Sequence, residues 1–216
     1  FSCSVINLMN RVKNFGDLIT PYLLRHSGFS PLHVSHQKAR VLLVGSILQR
    51  LSEDYSGIIL GTGLIKDIEL RFKKAKILGL RGEYTKKNLG IKNNIVLGDP
   101  GLIAVKYLKE RQNKRFLVGF VPHFYDKNDY RIKQIMNNFP EIVTIIDVNQ
   151  GVNTVFKLID KCSYIFSSSL HGLVTADALG IPNAWLKISE KATRDGFKFY
   201  DYYSAFDLSY NPIELS

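Results

Sequence analysis

The 216 residues of this chain, 45% hydrophobic and 22% charged, suffice for one large domain or two small ones. No apolar run approaches the about 20 residues that cross a bilayer, so the sequence predicts no membrane-spanning helix. The formal charge of +10 fits a solvated basic surface, a phosphorylated or carboxylated substrate, or an anionic membrane face. Since no nucleic-acid-binding motif is present, nucleic acid is not expected as a partner.

The cysteines and the first residue are informative about the cellular compartment of the protein. Cys3 and Cys162 lie far apart and lack partners at metal-ligand spacing, which is typical of reduced thiols in a cytoplasmic protein. The chain begins with Phe1 and not with Met, so we expect its start to be a fragment boundary. No signal-peptide pattern is visible in it. We therefore expect a cytoplasmic protein, with peripheral contact at the inner, anionic face of the membrane as a further option.

Short, uninterrupted apolar runs alternate with amphipathic ones along the chain. This pattern predicts an α/β fold, in which helices cover both faces of parallel sheets. The predicted strands are 41–44, 57–60, 76–80, 95–97, 116–121, 142–146 and 164–166, with 184–186 as a weaker candidate. The predicted helices are 17–26, 83–89, 130–138, 152–161, 170–179 and 197–206.

The most polar stretch in the middle of the chain, 106–115, falls between two groups of predicted strands. It predicts a boundary between two Rossmann-like halves, with an N-terminal domain at 1–108 and a C-terminal domain at 109–195. The alternative is one continuous doubly wound sheet that carries a solvated helix at this position.

Three serines and a histidine lie where the predicted strand 164–166 ends and the helix 170–179 begins, in Ser167-Ser168-Ser169-Leu170-His171. The first turn of a helix offers free N–H groups and the positive end of the dipole, which together form an anion site. His171 at this place can also move protons near neutral pH. The alternative is that the serines only cap the helix and that the histidine is a surface residue.

Small residues follow nearly every predicted strand, at the edge where parallel sheets bind ligands. Gly61 and Gly63 allow a ligand to approach the backbone closely, or they serve a tight turn. Gly61-Thr62-Gly63 lacks the third glycine of a dinucleotide fingerprint, and no Walker-type lysine follows any strand. The sequence therefore argues against a dinucleotide or P-loop site.

Arg81 follows the predicted strand 76–80 directly. A guanidinium there suits bidentate binding of a carboxylate or phosphate, and the alternative is an ion pair with Glu83 or Asp99. His123, after the strand 116–121, is either a ligand contact or a turn residue.

A polar loop precedes the first predicted helix. Asn14 and Asp17 fit a helix entry, and Gly16 between them permits a close approach, so the loop either caps the helix or contacts substrate. The five histidines and two cysteines show no zinc-binding spacing, so no metal is expected.

Taken in this order, these segments resemble the polysaccharide pyruvyl transferase family. The resemblance extends from about Asn14 to Phe206. Its segments are 14–17 with 21–24, 45–48, 61–63, 80–82, 97–102, 121–123 and 167–182. It implies a GT-B-like architecture of two Rossmann-like halves with the active site in the interdomain cleft, and a C-terminal helix within 196–216 that packs back on the first domain.

The resemblance also implies a reaction, the transfer of the enolpyruvyl group of phosphoenolpyruvate onto sugar hydroxyls. The product is a pyruvate ketal in a cell-surface polysaccharide such as an exopolysaccharide or capsule. His171 is then the expected general acid, and Arg81 is expected to hold developing charge. The expected partners are phosphoenolpyruvate and a saccharide acceptor, with a lipid-linked acceptor as an option, and no cofactor or metal is required. The candidate donor-binding residues are Ser168, Ser169, Leu170, Asn14, Gly16, Asp17, Gly61, Gly63 and His123.

The chain departs from part of this family at Ser169, where some members have an arginine. Donor binding would then depend more on Arg81, on backbone amides or on another cation such as Lys187. Two alternatives stay open: a GT-B glycosyltransferase that uses a sugar nucleotide, with Asp147 as a carboxylate for its ribose, and a non-catalytic module that binds anionic glycan.

Overall fold

The computed structural model describes residues 2–5 and 14–215. Phe1, on which the expectation about the start of the chain depends, lies outside this part. Two compact units are formed. Within the described residues, unit 1 comprises 2–5, 17–100 and 196–210, and unit 2 comprises 14–16, 101–195 and 211–215. The first helix, α1 (Phe15–His26), has its first two residues in unit 2 and the others in unit 1.

Unit 1 contains two parallel sheets. Strands β1 (Ser2–Val5) and β2 (Ser30–His33) form a pair, and β3 (Val41–Leu42), β4 (Ile58–Leu60), β5 (Lys76–Leu80) and β6 (Val96–Leu97) follow each other in chain order. Helices α2 (Glu83–Asn88) and α8 (Phe197–Ser204) also belong here. The core beneath them is aliphatic, with Leu42, Leu48, Ile59, Leu64 and Leu80 fully buried.

Strand β3 ends earlier than the predicted 41–44. The N–H of Val44 donates to the Oγ1 of Thr20 in α1 instead of to a neighbouring strand, at 3.1 Å. The apolar run therefore continues beyond the ladder, because the last two residues pack in the core while their backbone leaves the sheet.

Unit 2 is built on one five-stranded parallel sheet. Its order is β8 (Val143–Ile145), β7 (Phe116–Val121), β9 (Cys162–Ser167), β10 (Asn183–Lys187) and β11 (Ile213–Glu214). The helices are α3 (Gly101–Ala104), α4 (Tyr130–Asn138), α5 (Val152–Asp160), α6 (Leu170–Ala178) and α7 (Glu190–Thr193).

Helices cover both faces of this sheet. Ile132 of α4 packs in one core cluster with Phe120 of β7. Gly172 of α6 lies against the next residue of the same strand, Val121, whose side chain points to the opposite face. The expected α/β fold with parallel sheets is therefore confirmed, and the alternative of one continuous sheet is wrong.

The units divide the chain at 100/101, whereas the polar stretch predicts 108/109. Helix α3 packs against α6, which joins 101–108 to unit 2. At the other end, β11 pairs with β10, so residues 211–215 belong to unit 2 while 196–210 belong to unit 1.

The polar stretch 106–115 is an anchored segment inside unit 2 and not a solvated helix. After a short 3-10 turn at Val105–Tyr107, Arg111 donates through Nε to both carboxylate oxygens of buried Asp160, at 3.0 and 3.1 Å. Burial alone would raise the pKa of Asp160, but the hydrogen bonds from Arg111 and from the Gln112 N–H outweigh it and lower the pKa. The charges here thus hold this segment against helix α5 within unit 2.

Candidate active site

Ser167 shapes the serine-rich turn between β9 and α6. Its fully buried Oγ lies 2.8 Å from the carbonyl oxygens of both Val121 and Ser169, to which the hydroxyl can donate, and it accepts from the Ser169 N–H at 3.0 Å. A Cβ at Gly172 would overlap with this hydroxyl and lie 2.9 Å from Val121. Serine at 167 and glycine at 172 therefore set the path by which the chain enters α6. Ser169 occupies the N-cap, but its side chain makes no capping hydrogen bond.

Ser168 connects this turn to two other loops through Asp126. Its hydroxyl donates to Oδ2 of Asp126 at 2.8 Å and accepts from the His123 N–H at 2.9 Å. Ser189, which follows β10, donates to Oδ1 of the same carboxylate. Asp126 is 4% exposed, and it joins the loops after β7, β9 and β10 at the carboxyl edge of the sheet. Sequence reasoning missed Asp126, although a carboxylate five residues after a predicted strand was a usable signal.

His171 is the second residue of α6, and its ring lies against the backbone of Gly16. A Cβ at Gly16 would overlap with the imidazole, since Cγ of His171 would be only 2.7 Å away. The Phe15 ring meets the imidazole edge-on, with centroids 6.4 Å apart. His171 is 9% exposed, so it is held in a defined position and is not a freely exposed side chain.

The start of α1 is fixed by two hydrogen bonds. The Oδ1 of Asn14 accepts from the N–H of Gly16 at 3.0 Å, and the N–H of Phe15 donates to the carbonyl of Val148 at 2.8 Å. The structure thus brings three predicted site residues together in unit 2, namely Asn14, Gly16 and His171. Leu170, the first residue of α6, is buried beside them at 4% exposure.

Arg81 has an internal partner. Its side chain is fully buried, and its Nε and Nη2 each lie 2.9 Å from Oδ2 of Asp201 in α8. Nη1 donates to Ser46 Oγ and Nη2 to the Leu64 carbonyl. The ion-pair alternative therefore has Asp201 as its carboxylate, and the expectation of Glu83 or Asp99 is wrong. A direct contact between this guanidinium and a donor stays a prediction, and it would require the pair to open.

Gly61 and Gly63 are required by packing inside unit 1. Gly61 has a φ of 94°, and a Cβ there would overlap with the ring of Pro100. A Cβ at Gly63 would lie 2.6 Å from Cζ of Arg81. The turn and packing interpretation accounts for both glycines, and a donor contact at either stays a prediction.

Asp17 lies in unit 1, in the first turn of α1. Its side chain is exposed, yet the protein atoms around it reduce its hydration and raise its pKa, against the opposing positive charge of Arg50. In unit 2, Lys187 is paired with Glu190 at 2.7 Å and Glu214 at 3.3 Å, and these hydrogen bonds raise its pKa. Lys187 is therefore engaged with carboxylates, and its expected contribution to donor binding stays a prediction.

Within 2–5 and 14–215, no group of three or more His, Cys, Asp or Glu side chains is placed to hold a metal ion. In the same part of the chain, no helix combines the length and the apolarity needed to cross a bilayer.

Comparison with known proteins gives one family and two relatives. A family model described as polysaccharide pyruvyl transferase matches residues 7–190. "Uncharacterized protein L143" of Acanthamoeba polyphaga mimivirus is 35% identical over 176 residues, which cover 76% of this chain and 59% of the relative. "Succinoglycan biosynthesis protein ExoV" of Rhizobium meliloti (strain 1021) is 25% identical over 214 residues, which cover 92% of this chain and 63% of the relative. The chain thus spans about three fifths of the length of these relatives, and no solved structure matches it.

Proposed function

Because the chain belongs to the polysaccharide pyruvyl transferase family, we propose that it transfers the enolpyruvyl group of phosphoenolpyruvate to two hydroxyls of a saccharide. The observation that carries the proposal is the match over 7–190, which contains both His171 and the two residues packed against its ring, Phe15 and Gly16. ExoV is named for succinoglycan biosynthesis, so we propose an acceptor in exopolysaccharide assembly.

The proposed reaction requires neither an oxidant nor a reductant. A proton adds to the methylene carbon of phosphoenolpyruvate, which leaves C2 as an oxocarbenium-like electrophile. One sugar hydroxyl adds to C2 and loses its proton, inorganic phosphate then leaves, and a second hydroxyl adds and loses its proton. The products are the pyruvate ketal and inorganic phosphate. Of the two protons released by the hydroxyls, one replaces the proton added to the methylene carbon and the other protonates the leaving phosphate.

His171 is the proposed group that gives and takes these protons. Histidine titrates near neutral pH, so one side chain can serve as acid and then as base within a cycle. The packing of its ring on Gly16 and Phe15 supports this role, because a proton donor must be held in one orientation to be effective.

The phosphate and carboxylate of the donor need positive partners. We propose that the backbone N–H groups at the start of α6 and the dipole of that nine-residue helix supply one of them. Ser168 would act through its backbone, since its hydroxyl already bonds Asp126 and His123. The GT-B-like cleft, the lipid-linked acceptor and the contact with an anionic membrane stay predictions, and the charge of +10 supports the last of these.

The test mixes the chain with phosphoenolpyruvate and a panel of saccharides and follows released phosphate together with the ketal methyl signal by NMR. We expect both products with at least one acceptor, and loss of turnover in His171→Ala. His33→Ala, at an exposed histidine of β2, is the matched control and should keep full activity.

Each alternative has its own outcome. Near wild-type turnover in His171→Ala would exclude this residue as the acid. Absence of phosphate release across the panel, combined with tight binding of a sugar nucleotide, would favour the glycosyltransferase. Binding of anionic glycan without any turnover would favour the non-catalytic module.

A further inference from the structure

Three consecutive aromatic rings lie together in the loop after β7. The centroids of His123 and Phe124 are 4.3 Å apart, those of Phe124 and Tyr125 are 4.0 Å apart, and those of His123 and Tyr125 are 5.2 Å apart. Tyr125 remains 47% exposed. A clustered set of rings on a surface loop is unusual, because adjacent side chains ordinarily diverge and apolar rings are ordinarily buried.

The loop that carries these rings is firmly anchored. The N–H of His123 donates to Ser168 Oγ at 2.9 Å, and its carbonyl accepts from the Asp126 N–H at 2.7 Å. The Asp126 carboxylate, buried under the loop, is bound by the hydroxyls of Ser168 and Ser189. The aromatic cluster is therefore a preformed surface, attached to the same turn that leads to His171.

A cation completes the surface. The Nζ of Lys191 lies 4.5 Å from the ring centroid of Tyr125, a cation–π contact. Lys191 is in α7, whose N-cap Ser189 also bonds Asp126. One buried carboxylate thus positions both the rings and the ammonium group.

This combination matches the surface of a sugar. A pyranose ring presents a face of C–H groups, which an aromatic face with its partial negative charge attracts, and a rim of hydroxyl or carboxylate oxygens. Because the Lys191 ammonium lies over the Tyr125 ring, the pyranose would stack on the ring surface that Lys191 leaves open, with the ammonium as a donor to its rim. We propose that His123, Phe124, Tyr125 and Lys191 form a saccharide subsite, which takes a pyranose ring and favours one that carries a carboxylate.

The subsite lies at the carboxyl edge of a parallel sheet, where such folds bind ligands, and it is attached to the turn before α6. The assignment of this subsite to the acceptor rests on the proposed function, whereas saccharide binding by itself does not. A peptide or a membrane would need a broader apolar surface than this cluster, in which Tyr125 is 47% exposed and His123 and Phe124 are partly buried. A saccharide is the occupant that fits its size and its mixed polarity.

The test measures saccharide binding by the full chain without phosphoenolpyruvate. The probes are methyl β-D-glucopyranoside, methyl β-D-glucuronide and lactose, followed by saturation-transfer NMR and calorimetric titration. Tyr125→Ala should raise the dissociation constant by about 3- to 10-fold, the range expected for one aromatic contact. Tyr125→Phe should keep the affinity, and Lys191→Met should abolish the preference for the glucuronide.

Tyr130→Ala is the matched control, because Tyr130 is 73% exposed in the same unit and lies outside the cluster. The fluorescence of Trp185, the single tryptophan and a buried residue of β10, reports whether each variant folds. Tyr130→Ala should bind as the wild type does.

The subsite is refuted if the wild type binds none of the probes, or if Tyr125→Ala and Tyr130→Ala bind them equally well. Loss of binding to anionic vesicles in Tyr125→Ala, with unchanged saccharide binding, would replace it by a membrane contact. These outcomes differ from failure of the proposed function, which is the absence of phosphate release with any acceptor.

Discussion

The buried ion pair between Arg81 and Asp201 gives the sharpest prediction about stability. Both side chains are fully buried. The Asp201 carboxylate accepts from Arg81 Nε and Nη2 at 2.9 Å each, from the Thr85 N–H at 2.6 Å and from Thr85 Oγ1 at 2.7 Å. The perturbation is Arg81→Met, which keeps much of the volume but removes the charge and the Nε hydrogen bond and Nη2 ion-pair contact with Asp201. It also removes the hydrogen bonds to Ser46 and Leu64.

The contacts that Arg81 makes set the expected loss of stability. A hydrogen bond to a charged group is worth about 1.5–3 kcal/mol, and the Nε bond to Asp201 is one of the three that the Arg81 guanidinium makes. Removing one partner of a buried ion pair typically costs about 3–5 kcal/mol, because the remaining charge is left uncompensated. We therefore expect Arg81→Met to lower the free energy of opening of unit 1 by about 3–5 kcal/mol.

Amide hydrogen exchange at Thr85 is the appropriate assay. Its N–H donates to Asp201, so its protection reports this site directly. Fluorescence is less suitable, since Trp185 belongs to unit 2. Lys73→Met is the control: it removes an exposed ion pair of unit 1, to Glu53 at 3.0 Å, and should leave the exchange of Thr85 nearly unchanged.

A double variant separates the pair from simple loss of packing. Arg81→Met combined with Asp201→Leu should lose less stability than the sum of the single changes, by about 2–3 kcal/mol. The reasoning is refuted if Arg81→Met changes the protection of Thr85 by less than about 1 kcal/mol. If that variant also raised the KM for phosphoenolpyruvate, Arg81 would be a donor-binding residue as the sequence suggests.

Two further predictions concern unit 2. Gly16→Ala should displace the His171 ring by about 1 Å and lower kcat by about 100-fold, measured by phosphate release, while Gly151→Ala, with open space around it, should have little effect. Equal turnover in the two variants would show that the contact with Gly16 does not position His171. Burial raises the pKa of Cys162 from 9.0 to about 11, against the opposing charge of Lys114, so at pH 8 its thiolate fraction should be about 100-fold below that of an ordinary thiol. The folded state retains this proton up to higher pH than the unfolded chain, so the contribution of Cys162 to stability should fall as the pH rises from 9 towards 11. Peptide mass spectrometry after alkylation should show Cys162 protected in the native chain and modified in urea, and rapid native alkylation at pH 8 would contradict the burial.

Most elements could be predicted because their signals are local. Strands 76–80 and 116–121 and helix 130–138 have the predicted bounds, since a continuous apolar run or a helical period needs no distant partner to be visible. Strand β11 was not predictable: its two exposed residues form a strand only because β10 offers an open edge. Strand β3 differs in the opposite direction: it is two residues shorter than predicted, because buried apolar residues continue beyond the hydrogen-bonded ladder.

In the candidate site, too, features with a local sequence signal were predicted and contacts between distant residues were not. The turn before His171 was predicted from a strand, three serines and a helix that are contiguous in sequence. The sequence analysis named both His171 and Gly16 as candidate site residues, but it did not predict that they pack together across 155 positions, and it missed the role of Asp126. A motif identifies which residues are unusual, but it does not say which of their atoms are already used inside the protein.

The sequence by itself therefore determined the α/β class, the positions of most strands and helices, and the family, all of which depend on local periodicity or on ordered motifs. Only the tertiary structure decided what the charged residues do. Arg81 pairs with Asp201, 120 positions away, and Asp126 with Ser189, 63 positions away. A buried charge is stabilised by whatever partner the fold brings within about 3 Å, and sequence spacing carries no information about that distance.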